Sequence, residues 1–158
     1  KDYELRIQKT PQSPEVLITD VGFGISQILP VLVLCYYVPE NSILIFEQPE
    51  IHLHPAVQYM LADVFIDAIK TRKVQIILES HSEHILQRFQ RRAAEDPEIG
   101  KLMSFFFTQM KNGASELVKL ALDEFGNITN WPEDFFGDEM GEMSARMRAE
   151  MQRKIKPL

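Results

Sequence analysis

At 158 residues, 45% hydrophobic and 25% charged, the chain has the length and balance of one globular domain, which argues against disorder and against a membrane-embedded class. A net charge of −6 leaves no general basic field for nucleic acid, and the single cysteine, Cys35, excludes an internal disulfide and any CxxC metal or redox pair. The longest apolar stretch, residues 28–38, is too short to span a bilayer and no signal peptide is visible, so a cytoplasmic location with no membrane partner is expected.

Residues 3–8 alternate polar and apolar and predict an edge strand, followed by a loop holding Pro11 and Pro14 and a short strand over residues 16–19. The glycines of "DVGFGISQ" (20–27) predict a tight turn. The stretch "ILPVLVLCYYV" (28–38) predicts a largely buried helix closed by Pro39, with Pro30 near its first turn, where a proline fits. Residues 42–46 form a wholly apolar run, the pattern of a central parallel strand covered on both faces. Pro55 opens a helix in which Val57, Met60, Leu61, Val64, Phe65 and Ala68 recur at helical spacing before Lys70 and Arg72.

Residues 74–78 predict the next buried strand, and residues 82–94 a helix whose end carries Arg88, Arg91 and Arg92 against the negative end of its dipole. This order implies an α/β fold with a parallel sheet flanked by crossover helices. Residues 103–108 and 116–122 then predict a β-hairpin around "MKNGAS", and "DEFGN" a further turn. Trp131, Phe135 and Phe136 read as aromatic anchors, and Met140, Met143, Met147 and Met151 as one stripe of a C-terminal helix with a locally basic end.

In open α/β sheets the reactive crevice lies beyond the carboxyl ends of the strands. The first central strand delivers Glu47, Gln48 and Glu50 there, and the second delivers Glu79, Ser80 and His81. Carboxylates beside a histidine suit Mg²⁺ and phosphate, because hard oxygens hold the metal while the ring donates to phosphate. A competing reading takes His52, His54, His81 and His84, at HxH and HxxH spacing, as transition-metal ligands.

These residues carry a family resemblance. "ILIFEQPEIHLHP" (43–55) resembles the Walker B strand and following loop of ABC-type ATPases, in the branch related to SMC, RecF and OLD proteins. "IILESHSEHIL" resembles their switch-histidine segment and "DVGFGISQ" their signature motif, in the family's order. "LDEFGNITNWPEDFF" (122–136) is similar to a C-terminal domain of unknown function that follows such cores in bacteria. The resemblance implies the C-terminal lobe of an ABC-type P-loop ATPase over residues 1–122 and an extension over 123–158.

It further implies that Glu47 associates with Mg²⁺ through water and that His81 contacts the γ-phosphate of ATP. Gly22, Gly24, Ser26 and Gln27 would contact, in trans, the ATP of an opposite subunit. Gln48 stands where many relatives carry the glutamate that polarises the attacking water, and a neutral amide orients water without accepting its proton. Glu50 supplies the base, Gln48 positions the water, or the site binds ATP and turns over slowly with a native glutamine, which is the favoured account; an engineered trapping substitution at position 48 is a fourth.

No GxxxxGK[ST] occurs in the chain: Gly100 and Lys101 are followed by Leu102 and preceded by Glu95 where the first glycine would stand. The family places its P-loop upstream of the signature, and this chain opens at Lys1, so the C-terminal half of an ATPase head is expected. Its expected partners are the upstream P-loop half, a second head engaged around ATP, and an effector or DNA in a genome-maintenance or phage-defence setting. The alternative is a non-catalytic, ATP-dependent clamp or interaction scaffold, with Gln48 having removed turnover.

Overall fold

The computed structural model describes residues 4–8, 10–20, 23–132 and 151. They fall into two compact units, Lys1–Leu102 with Glu124–Gly126, and Met103–Asp123 with Asn127–Leu158. In the first, β1 (Arg6–Ile7) pairs antiparallel with β2 (Val16–Leu17), and a 3-10 turn (Ile18–Asp20) leads to α1 (Phe23–Tyr37). Then β3 (Ile43–Glu47), α2 (Pro55–Arg72) and β4 (Gln75–Glu79) form a parallel β-α-β unit, followed by α3 (Glu83–Glu95) and α4 (Pro97–Lys101).

The boundaries have local causes. The His54 ring Nδ1 accepts from Ala56 N–H and Pro55 occupies the first turn of α2, where its missing N–H costs no bond. Lys73, left-handed at φ 56°, ends the same helix. Ser82 Oγ accepts from Ile85 N–H to cap α3, and Asp96, which closes α3 through its N–H, caps α4 through its side chain.

Leu44 and Phe46 of β3 turn toward Val31 and Cys35 of α1, Leu61, Ala62, Phe65 and Ala68 of α2, and Ile85 of α3, forming one core. The rings of Phe46 and Phe65 stack with centroids 5.3 Å apart. Burial pushes the Cys35 thiol up to about 11, so it is an inert packing group.

Two expectations fail for one reason. The apolar run 42–46 predicts cover on both faces, yet β3 alternates buried and exposed, leaving Ile43, Ile45 and, on β4, Ile77 at 62%, 67% and 53% exposure. Likewise α1 buries one face only and exposes Val33, Leu34 and Tyr37. The described helices of this unit pack against one side of a two-stranded sheet, and alternate side chains of a strand point to opposite sides. Pro30 also lies inside α1 rather than near its start, because the helix begins at Phe23 and the proline ring sits on its exposed side.

In the second unit β5 (Phe105–Lys111) and β6 (Ala114–Leu120) form an antiparallel hairpin. Its two-residue turn, Asn112 and Gly113 at φ 52° and 78°, has the positive dihedrals that suit a twisted hairpin. The chain turns again where Asp123 exchanges hydrogen bonds with Asn127, so that Leu122 bridges Ile128. Met151 is helical, while Phe135, Phe136, Met140, Met143 and Met147 lie outside the described residues.

Candidate functional site

Parallel pairing of β3 with β4 sets Ile45 opposite Ile77 and Glu47 opposite Glu79. Because Leu44 and Phe46 face the helices, Glu47 falls on the uncovered face beyond Ile45, and Glu79 beyond Ile77. Two exposed carboxylates thus close the carboxyl edge of an apolar row. This is a hard-oxygen donor pair that fits Mg²⁺, an ion commonly held by one or two carboxylates together with waters and substrate phosphates.

Beyond Glu47 the chain bends at once. Gln48 adopts φ 46°, left-handed for a non-glycine residue, and its N–H still donates to the Glu79 carbonyl at 2.9 Å. Ile51 N–H returns to the Gln48 carbonyl and Leu53 N–H to the Glu50 carbonyl, so the loop from β3 to α2 is two overlapping turns with His52 at φ 65°. Gln48 is held half-buried at the strand edge.

Glu50 is the buried charged side chain of the site, 6% exposed. Its Oε1 accepts from the Ser80 hydroxyl at 2.7 Å and from the His81 backbone N–H at 3.0 Å. Its Oε2 is buried without a hydrogen-bond partner among the described residues. An acceptor left in that state costs ~1–3 kcal/mol, so this side chain serves position more than stability.

His81 follows β4 with its side chain 80% exposed and its Nε2 3.2 Å from Glu79 Oε1. The sequence reading brought Glu79 to this edge but gave it no role of its own. The signal was the equal spacing of the two strands from their terminal glutamates, which becomes informative only once the register is known.

The signature residues divide. Gly24, Ser26 and Gln27 lie at the start of α1, and a Cβ at Gly24 would stand 3.7 Å from Leu53 and 3.9 Å from the His52 carbonyl. The start of α1 therefore lies close to the loop after β3. Gly22 lies outside the described residues.

The four histidines do not gather as a metal cage. The His54 ring is spent on capping α2, and His84 Nδ1 lies 3.1 Å from the Tyr59 hydroxyl with the two rings in contact. Among the described residues no three His, Cys, Asp or Glu side chains group as metal ligands.

Comparisons with known proteins agree with this architecture. A family model described as an AAA ATPase domain matches residues 2–86, and one described as a protein of unknown function (DUF3696) matches residues 101–145. A solved chain from structural work on ATP-driven dimerization and DNA-stimulated activation of SMC ATPases superposes with a TM-score of 0.52 at 16% identity, over 87% of this chain and 68% of that one. At that identity the likeness shows the fold alone, a mixed α/β arrangement similar to that of the solved chain. No curated protein matches the chain in sequence.

Proposed function

We propose, on the premise that this chain belongs to the AAA ATPase domain family, that its two strand ends form part of an ATP site completed by a P-loop lobe and closed by a second head. One observation carries this reading: Ile43, Ile45 and Ile77 form an exposed apolar row that runs straight into Glu47 and Glu79, with His81 beside them. An apolar surface bordered by polar groups marks a contact site. Here the covering lobe would bring the phosphate-cradling loop that these 158 residues lack.

Glu47 would hold Mg²⁺ through water on the uncovered face. When bound, that ion neutralises charge on the β- and γ-oxygens of the nucleotide. Gln48, fixed at the bend, would orient the attacking water through its amide without taking the proton, as glutamine does in small GTPases. His81 would donate from its ring to the γ-phosphate, and Glu79 Oε1 at 3.2 Å would steady the imidazole.

Gly22, Gly24, Ser26 and Gln27 would meet the ATP of the opposite head. Engagement and release of two heads would then move an effector or a DNA-handling module, in the genome-maintenance or phage-defence setting that the resemblance implies. No helix among the described residues is long and apolar enough to cross a membrane.

Gln48 also favours a second reading, a nucleotide-dependent clamp in which heads close around ATP and turnover is absent. Single-turnover hydrolysis by the intact protein separates the two. Slow turnover that rises about 100-fold with Gln48→Glu, as general-base contributions of 10²–10⁴ lead one to expect, supports the enzyme. Turnover that is absent until Gln48→Glu supplies it supports the clamp. Failure of the intact protein to bind ATP at all would remove both readings.

A further inference from the structure

Resting on the reading of His81 given above, we infer that Glu50 is a positioning residue: its carboxyl group latches the turn that carries His81 to the loop that carries Gln48. The latch is part of a closed circuit of hydrogen bonds. Ser80 Oγ donates to Glu50 Oε1 and accepts from Ser82 N–H at 3.0 Å. Ser82 Oγ, besides capping α3, donates to Gln58 Oε1 at 2.6 Å. Gln58 Nε2 donates to the Leu53 carbonyl at 2.8 Å, and Leu53 N–H returns to the Glu50 carbonyl at 3.0 Å.

Three segments are tied by this circuit: the loop after β3, the first turn of α2, and the turn between β4 and α3. His81 sits between its two serines. Its backbone N–H is bound to Glu50 while its side chain is 80% exposed. A fixed main chain beneath an exposed ring is the arrangement that presents a donor to a ligand at a reproducible distance. Glu50 itself is buried to 6% exposure and uses Oε1 on two donors of the protein, which suits holding these groups rather than taking a proton from water.

Glu50→Gln and Glu50→Ala separate the two roles, because a glutamine oxygen accepts the same two hydrogen bonds but takes no proton. The readouts on the intact protein are hydrogen exchange at the His81 amide, ATP affinity, single-turnover hydrolysis and melting temperature. For E50Q the expected result is a protected His81 amide and turnover within about threefold of the parent; for E50A it is lost protection and turnover lower by about 100-fold, with ATP affinity within about threefold.

Gln58→Leu opens the circuit without touching Glu50 and is expected to slow turnover by about tenfold, so the test survives if E50A unfolds. If E50Q falls as far as E50A with its amide still protected, Glu50 is the base and the positioning role is overturned. An unchanged His81 amide in E50A also overturns it. A failure of the underlying site reading looks different: His81→Ala would then retain parental turnover and affinity while the amide data still report the latch, and the functional half of the inference would fall.

Discussion

Gln48 combines an unusual backbone with an unusual side chain. A non-glycine residue in the left-handed region stores ~1–3 kcal/mol when its surroundings enforce it. Gln48→Gly relieves that strain but adds freedom to the unfolded chain, so stability should stay within about 1 kcal/mol in urea titration while turnover disappears. A stability loss well beyond that would show that the amide is part of the packing. Gly126 presents the opposite case: at φ 80° its added Cβ would run into the Gln90 carbonyl, so Gly126→Ala should cost about 3 kcal/mol in the same assay. Its turn was legible in "DEFGN". The collision was not, because Gln90 stands 36 positions earlier and only tertiary folding brings it there.

At the scale of elements, the punctuation was easier to read than the packing. Pro55 marked the start of α2, and the strands after Ser42 and Val74 lie within one residue of their expected bounds. α4 went unread although Asp96 and Pro97 form an N-cap followed by a first-turn proline; five residues carry no apolar period to draw notice. α1 begins five residues before the expected start at Ile28, because a proline in the sequence points to a first turn whereas the glycine and serine before Pro30 are already helical. Ser82→Ala removes the cap of α3 and should cost ~1 kcal/mol by thermal or urea unfolding. The Tyr36 hydroxyl, which ties α1 to α2 by donating to Asp67, is pushed up to about 12 by burial first and Asp67 second. A group whose folded value is raised lends stability that is complete below pH 10 and lost as pH climbs through about 12. Absorbance titration should therefore show Tyr36 titrating late, moved back toward 10 by Asp67→Asn.

For the whole molecule, the uncovered sheet face decides behaviour. A run such as "ILIFE" reads the same whether one face or both will be covered, since a strand's apolar content does not say what packs on it. The placement of Glu47 and His81 at strand ends was legible from the run and its polar terminus. The one-sided core was not. Expressed alone, the chain should bind a hydrophobic dye and self-associate through Ile43, Ile45 and Ile77, and Ile45→Thr should reduce both in dye-binding and light-scattering assays. In the intact protein the same substitution should lower stability instead, because the proposed lobe covers that row; an intact protein indifferent to Ile45→Thr would speak against the lobe.

The bare row also makes the stability of this unit a matter of occupancy. Whatever covers Ile43, Ile45 and Ile77 recognises the folded sheet and not the extended chain, so it acts as a ligand for folding. At a hundredfold excess over its dissociation constant such a ligand contributes about 2.7 kcal/mol, a substantial part of what holds a domain together. The unfolding midpoint of the unit is then set jointly by these residues and by the effective concentration of their covering surface, and a weakening on either side registers in both.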